Sequence, residues 1–272
     1  MREHRICFRT SERTPVLHIF KLLIAAVPVL GVCGVEAQTV PPLIPPRAGY
    51  NFPAKQTLTY AVDWRVFPAG TTVIHLEQQD GDEERISASG DTLGAINLIY
   101  RVSDRFQSSF NRRTGCSAGF AKQLQEGRRQ VSTDLKFDYA QGKALLNEKN
   151  LVKGTSKHSE APVGPCVTDL LSAIFYPAAL TLTPGESFRV PVADAMHTVA
   201  VTMRVEARET VRTPLGTYQT IRVQPMADAG VVKARGNIWI WYTDDDRHVP
   251  VQMRARLFWG TITFRLTALE QK

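Results

Sequence analysis

Residues 58–66 read LTYAVDWRV, and this stretch decides the fold. Its larger apolar side chains fall on every second residue from Leu58 to Val66, whereas Thr59, Asp63 and Arg65 lie between them. A period of two places these two sets on opposite faces of an extended strand. The stretch therefore predicts a β-strand with one face against a core.

The same alternation recurs along most of the chain. It is clearest in residues 100–110, 131–139, 199–205, 238–242 and 261–269. Turn-forming sequences at 68–70, 214–217 and 244–247 separate neighbouring runs. About ten to twelve strands joined in sequence favour an antiparallel sheet. We therefore expect an all-β, mostly antiparallel fold.

One segment interrupts this pattern with a helical one. Residues 169–176 read DLLSAIFY, Thr168 or Asp169 can cap the first turn, and Pro177 follows closely. An N-cap residue at the start and a proline near the end are typical of a short helix. The sequence predicts one short helix near 169–176.

The N-terminus has the pattern of a secretory signal. Basic residues precede an apolar run at 22–35, and small residues at Val35 and Ala37 suit cleavage. The run has 14 residues and includes a proline, whereas a spanning helix needs about 20. We expect a signal peptide at 1–37. An uncleaved membrane anchor or lipidation of Cys33, after Val32, is the alternative.

The rest of the chain divides into two parts. Residues 38–49 contain four prolines and predict an extended linker. Residues 50–272 then form a single β-rich domain. A cleaved signal implies a periplasmic or secreted protein with no stable membrane span.

Composition excludes several classes of protein. The chain has 272 residues, of which 43% are apolar and 22% charged, as in ordinary globular domains and unlike disordered or multi-span membrane proteins. Lys and Arg number 33 against 26 Asp and Glu, a formal charge of +7. The basic residues are scattered, whereas nucleic-acid proteins concentrate them on one face. No nucleic-acid partner is expected.

Two cysteines, Cys116 and Cys166, remain once the signal is removed. An isolated pair in an oxidising compartment is typical of one disulfide. Two buried thiols or a redox pair are the alternatives, although C-x-x-C spacing is absent. We expect the disulfide.

The tryptophans supply the candidate binding residues. Trp239 and Trp241 are two residues apart and so share one face of a strand, and Trp64 and Trp259 lie in other predicted strands. On a core face they would be packing residues, whereas on an open concave face they would offer an apolar or sugar-stacking platform. Trp239, Trp241 and Trp64 are therefore the candidate ligand-binding residues, with packing in the core as the alternative.

The sequence contains few signals of catalysis. No histidines have metal-ligand spacing, and no serine lies in a G-x-S-x-G motif. The carboxylates at 244–246 lack the alternating spacing of a calcium loop and favour a hairpin turn over a cation site. Asp63 and Asp104 lie in strand patterns and could act as a glycosidase pair only if the fold brought them together. We expect no catalytic residue, metal or cofactor.

The order of these features resembles the bacterial exported DUF3108 family, whose function is undefined. The matching stretches are 58–64, 69–70, 99–104, 169–176, 213–218 and 239–251. The resemblance implies an exported β-rich protein across about 50–270 and transfers no catalytic residues. Envelope proteins with a similar strand-rich plan also imply a strongly curved sheet, half-barrel or sandwich-like.

These observations lead to one functional expectation with two alternatives. We expect a non-enzymatic bacterial envelope protein that binds an apolar ligand, a lipid or an envelope partner. The alternatives are an enzyme acting on envelope glycans and a structural or assembly component. The expected partners are thus a lipid, a glycan or an envelope protein.

Overall fold

A computed structural model describes residues 42–227, 232–233, 237–258 and 260–272. The predicted signal peptide at 1–37, the first residues of the predicted linker and Trp259 lie outside the described residues. Signal cleavage and the boundaries of the linker therefore stay predictions.

The described residues form β-strands with three short helical segments between them. In chain order the elements are β1 (Lys55–Trp64), β2 (Phe67–Gln78), β3 (Glu83–Thr92), α1 (Gly94–Ile99), β4 (Ser103–Asn111), β5 (Ser117–Glu126), β6 (Arg129–Asp138), β7 (Lys143–Asn150), β8 (Thr155–Pro162), β9 (Thr168–Asp169), α2 (Ser172–Phe175), the 3₁₀ helix η1 (Tyr176–Ala179), β10 (Ser187–Asp194), β11 (His197–Arg212), β12 (Thr217–Met226), β13 (Asn237–Thr243), β14 (Pro250–Leu257) and β15 (Gly260–Gln271).

All fifteen strands of the described chain belong to one sheet. Its order is β8-β7-β6-β5-β4-β3-β2-β1-β15-β14-β13-β12-β11-β10-β9, so the first and last strands pair in its middle. Every neighbouring pair is antiparallel except β9 with β10. The prediction of a mostly antiparallel all-β fold with a short helix near 169–176 is confirmed.

The sheet is strongly curved, as its edge strand shows. Strand β9 is the last strand in the order, yet the N–H of Ser117 in β5 donates to the carbonyl of Val167 beside β9 at 2.7 Å. The disulfide between Cys116 and Cys166 closes the same contact, with 5.0 Å between the Cα atoms. The predicted curvature and the predicted disulfide are both confirmed.

The core lies on the face of the sheet that the alternation predicts. Leu58 and Tyr60 on β1 are fully buried, and Leu58 lies opposite Ile74 of β2. The hydroxyl of Tyr60 donates to the carbonyl of Pro250 at 2.7 Å. A second cluster packs α2 against β10–β13, where the buried hydroxyl of Tyr242 donates to the carbonyl of Ile174 at 2.7 Å. Burial of apolar area on this face stabilises the fold.

The predicted turn at 68–70 is wrong, because these residues lie inside β2. The chain turns instead at Arg65, whose φ is +57°. Gly70 is there for another reason: a Cβ atom would lie 2.4 Å from the carbonyl oxygen of Asp91 on β3. Glycine in a strand interior often marks such a close backbone approach.

The strand count also exceeds the expected ten to twelve. The hairpin of β7 and β8 accounts for part of the difference, since β8 is polar and mostly exposed on both faces. Such an edge strand has no apolar alternation to reveal it. Helix α1 was not predicted either: it buries no residue and has no side-chain cap.

Candidate functional site

Strand β13 carries two of the tryptophans proposed to bind a ligand. Trp239 and Trp241 contact one apolar cluster of the core, whereas Ile238, Ile240 and Tyr242 contact the other. The two tryptophans therefore share a face, as the period of two predicts.

Trp241 is a packed residue. It is 5% exposed, its indole N–H donates to the Glu209 carboxylate at 2.6 Å, and the Arg254 guanidinium lies 5.4 Å above its ring. Arg222 binds the same carboxylate at 2.9 Å. A ligand could reach this face through the half-buried Trp239 more easily than through Trp241.

Trp64 lies apart from the other two. It ends β1, half-buried, with the Arg65 guanidinium 5.6 Å from its ring and Gly260 packed against its indole nitrogen. Strands β15 and β14 separate β1 from β13, which is about 14 Å between strand axes. The fold does not bring Trp64 beside Trp239, and the ligand-binding role of all three tryptophans stays a prediction.

The best-formed concave site lies at the other end of β1. We call it the Arg47 cleft: it has a volume of about 380 Å³ and lies between residues 47–53, the β13–β14 turn at 246–250 and the helical segments α2 and η1. Its floor is apolar, and its mouth is polar. The floor includes Phe52, Leu76, Phe175 and Val249. The mouth includes Arg47, Asp246, Arg247 and His248.

The proline-rich segment forms one wall of the cleft. The N–H of Arg47 donates to the carbonyl of Ala179 at 2.8 Å, and the hydroxyl of Tyr176 donates to the carbonyl of Ile44. The Arg47 guanidinium donates to the carbonyl of Asp246 and lies 5.0 Å from the ring of Tyr50. Residues 42–49 are thus held against the domain by contacts to distant parts of the chain.

His248 is held in an unusual backbone conformation at the mouth of the cleft. Its φ is +43°, and its side chain is 6% exposed. A non-glycine residue in this region costs energy and often marks a functional position. Nδ1 lies 3.3 Å from the Ala178 carbonyl, which can only accept, so Nδ1 carries the proton. Burial, assisted by the positive charge of Arg47, lowers the pKa of His248.

A buried carboxyl group lies behind Phe52 in the apolar floor of the cleft. Glu84 on β3 is fully buried, and neither of its carboxylate oxygens has a hydrogen-bond partner. It lies directly across from Phe110, whose ring packs edge-on against Phe52 in the cleft. Burial raises the pKa of Glu84 to about 7, against the pull of Arg112. The folded protein therefore holds this proton more tightly than the unfolded chain does.

A second buried carboxylate, that of Asp169, lies beside α2, which contributes Phe175 to the cleft. Asp169 accepts hydrogen bonds from the hydroxyls of Ser108, Ser117 and Ser172 at 2.5–3.0 Å, and from the N–H groups of Leu171 and Ser172. The two N–H bonds fix the turn between β9 and α2. The predicted cap by Thr168 or Asp169 is wrong, because both residues lie in β9 and the N-cap of α2 is Leu171. Five donors compensate the burial of the charge, so Asp169 is structural.

The carboxylates considered for catalysis are not brought together. Asp63 lies on β1 and pairs with Arg265 at 2.6 Å, whereas Asp104 lies on β4 and accepts the N–H of Gln125 at 2.9 Å. Three strand spacings, about 14 Å, separate β1 from β4. A glycosidase pair needs about 5–10 Å.

The acidic turn at 244–246 forms the predicted hairpin connection between β13 and β14. Asp245 binds Arg247 at 2.7 Å, and Asp244 binds Arg208 at 2.8 Å. Within the described ranges, no group of three or more His, Cys, Asp or Glu side chains could hold a metal ion. Nor is any helix there long and apolar enough to cross a membrane.

Sequence reasoning missed the residues that build the Arg47 cleft. Arg47 and Asp246 are 199 residues apart, and nothing local to either predicts their contact. Glu84 did leave a signal, because it continues the alternation of the buried Ile86 and Ala88 on β3. A charged residue at a core position of a strand is unusual and is a signal that the sequence carries.

Comparison with known proteins agrees with this fold. A family model described as "Protein of unknown function (DUF3108)" matches residues 59–267. A β-barrel-like protein with the domain of unknown function DUF1849, from Brucella abortus, superposes with a TM-score of 0.56 at 10% identity, covering 82% of this chain and 100% of its own. A Bacteroides fragilis protein described as exported, with a YmcC-like fold, gives a TM-score of 0.37 at 10% identity, covering 81% and 97%. No curated protein matches this chain.

Proposed function

Because this chain belongs to the DUF3108 family, whose function is undefined, we propose that it is an exported envelope protein that binds a small amphiphile without transforming it. The amphiphile carries an acidic group and one apolar chain. It lies in the Arg47 cleft.

One observation carries this proposal: an apolar floor lies beneath a cationic mouth. The volume of about 380 Å³ is at the lower end for small-molecule sites and suits one apolar chain. Arg47 at the mouth offers a guanidinium group, which recognises carboxylate and phosphate, whereas Arg247 beside it is paired with Asp245. The ligand would therefore bury its chain against Phe52 and Phe175 and keep its acidic group at Arg47.

Export is supported by the disulfide. A bond between Cys116 and Cys166 is consistent with an oxidising compartment outside the cytoplasm. The signal pattern at 1–37 supports the same location. We propose that the mature protein is periplasmic or secreted.

The enzyme alternative has less support from the geometry. Asp63 and Asp104 are too far apart, and Asp246 is the one carboxylate among the described residues that line the cleft. Hydrolysis of a glycoside normally uses two carboxylates across the scissile bond. Binding needs no such pair.

The test is native mass spectrometry of the exported protein, followed by titration with palmitate. A co-purifying amphiphile and saturable palmitate binding are expected. Arg47→Glu should weaken palmitate binding by about tenfold, because it replaces an attractive charge with a repulsive one. Arg85→Glu is the matched control, since Arg85 is exposed on β3 and does not line the cleft. Absence of saturable binding, or equal effects of both variants, would contradict the proposal.

A further inference from the structure

Exposed apolar side chains of this protein are concentrated at one end of the sheet. Eleven large apolar residues are exposed in the described chain, and nine of them lie in or next to the connections that follow β1, β3, β7 and β14. The β5–β6 connection at 127–128 lies on the same edge and adds no exposed large apolar side chain. We call this surface the turn rim. Its apolar members are Val66, Phe67, Leu93, Leu98, Ile99, Tyr100, Leu151, Val152 and Phe258.

Antiparallel topology places these connections together. Successive hairpins of a meander alternate between its two ends, so those after β1, β3, β5 and β7 share one end. The β14–β15 connection joins them because β15 pairs antiparallel with β1, with Trp64 opposite Ile262. The turn rim is therefore at the end of β1 that is remote from the Arg47 cleft.

Backbone hydrogen bonds join the connections into a continuous surface. Arg65 donates to Thr261 at 2.7 Å, and Leu93 donates to Ala69 at 2.9 Å. These bonds link the β14–β15, β1–β2 and β3–β4 connections.

The chain of contacts continues along the meander. The N–H of Gly127 donates to the carbonyl of Arg101 at 2.7 Å, and that of Leu151 donates to Gln130 at 2.9 Å. The ring of Tyr100 lies so close to Gly127 that a Cβ atom there would be 3.0 Å from it. The connections that carry the apolar side chains thus adjoin one another along one edge of the sheet.

The charge of the turn rim has one sign. Its connections carry Arg65, Arg101, Arg128 and Lys153, all exposed, and residues 65–67, 93–102, 127–128, 151–154 and 258 include no Asp or Glu. The neighbouring carboxylates Asp91 and Glu126 are ion-paired with Arg105 and Arg129 at 3.0 and 2.7 Å.

Exposed apolar side chains rimmed by basic ones match the interface of an anionic bilayer. Apolar groups insert by about 5–10 Å below the head groups, while each Lys or Arg is attracted to the anionic surface. A large exposed apolar patch otherwise marks a protein contact. A second copy of this chain fits poorly, because pairing would oppose Arg101, Arg128 and Lys153 with their own counterparts.

We propose that the turn rim is a membrane-docking surface that inserts its apolar side chains into a bilayer containing anionic lipid. Its most exposed side chains are Phe258 at 100%, Leu98 at 88%, and Ile99 and Val66 at 82% each. Helix α1 supplies two of these four. Arg101, Arg128 and Lys153 bind the anionic head groups. The proposal is independent of the Arg47 cleft, which shares no residue with the turn rim.

Vesicle flotation tests the proposal. The exported protein, its N-terminus verified by intact mass, is mixed with phosphatidylcholine vesicles with or without 25% phosphatidylglycerol. We expect binding to the anionic vesicles, and a loss of about tenfold or more in the double variant Leu98→Ser/Ile99→Ser. Leu215→Ser is the matched control, since Leu215 is exposed at 41% outside the turn rim, and it should bind as the unaltered protein does.

A charge variant gives a second measurement that does not depend on α1. Arg128→Ala and Lys153→Ala should each reduce binding to anionic vesicles by about fivefold. Absence of binding to any vesicle would overturn the proposal, as would binding that the Leu98→Ser/Ile99→Ser variant leaves unchanged. A dimer in solution that this variant dissociates, without vesicle binding, would show that a second copy covers the surface.

Discussion

Substitution of Trp241 tests whether the face of β13 that carries both tryptophans packs in the core or binds a ligand. The side chain is 5% exposed, so truncation to alanine removes almost all the apolar area that an indole can bury. Burial on this scale corresponds to a loss of about 3–5 kcal/mol of unfolding free energy for Trp241→Ala. We expect that loss.

A second variant separates packing from hydrogen bonding. Trp241→Phe keeps most of the ring and removes the N–H that donates to Glu209 at 2.6 Å. The Glu209 carboxylate keeps its bond to Arg222 and is 37% exposed, so water can replace the lost donor. We expect this change to cost about 1 kcal/mol.

Urea unfolding followed by far-ultraviolet circular dichroism measures both variants without relying on tryptophan emission. Trp239→Ala is the matched comparison, because Trp239 shares the face but is half-buried, and it should cost less than Trp241→Ala. A loss below 1 kcal/mol for Trp241→Ala would refute the packing argument. A small loss for Trp239→Ala together with weaker palmitate binding would support Trp239 as a ligand contact, whereas large losses for both would end the ligand-binding prediction.

Two further predictions concern the buried carboxyl group of Glu84 and the disulfide between Cys116 and Cys166. The free energy of unfolding should fall by about 3 kcal/mol as pH rises from about 4.5 to about 7, because the pKa of Glu84 is about 7 in the folded protein and lower in the unfolded chain. Glu84→Gln should abolish this part of the pH dependence. His248 contributes a pH dependence of opposite sign to both proteins, so it cancels in the difference between them. Reduction of Cys116–Cys166 should cost up to about 4 kcal/mol because the bond closes a loop across 50 residues; equal urea midpoints with and without reductant would contradict this.

The parts of the fold that the sequence predicts are those that depend on local periodicity. The alternation around Trp239 and Trp241 placed both residues on one face, and the apolar run at 170–176 placed a short helical segment near α2 and η1. The disulfide followed from counting cysteines in an exported chain. Each of these inferences needs only neighbouring residues or a single pairing.

The candidate sites depend on contacts that periodicity does not encode. Arg47 meets Asp246 across 199 residues, and a proline-rich sequence predicts a linker whether or not it packs against a domain. Helix α1 was missed for a different reason. Its residues Leu98 and Ile99 are apolar, which predicts burial, but both are exposed in the fold. An exposed apolar surface of this kind departs from the rule that apolar residues are buried, and such departures mark surfaces that bind a partner.

The two proposed surfaces lie at opposite ends of the same strands, and this separation has a consequence for function. From Gln56, which lines the Arg47 cleft, to Trp64 beside the turn rim, β1 contributes nine residues, and this length of strand spans about 27 Å. A protein docked through the turn rim would hold the mouth of the cleft far beyond the depth of insertion. The cleft would then exchange its ligand with solvent or another protein, and not with the lipids beneath it.

The two activities should therefore be separable by mutation. Leu98→Ser/Ile99→Ser should leave the affinity for palmitate within about twofold, and Arg47→Glu should leave vesicle binding within about twofold, because sites with no shared partners contribute additively. Each variant is measured twice from the same preparation. Palmitate is titrated without vesicles, and flotation is carried out without palmitate. Loss of vesicle binding in Arg47→Glu would mean that residues 42–49 control the turn rim across the sheet, and the argument from distance would then be wrong.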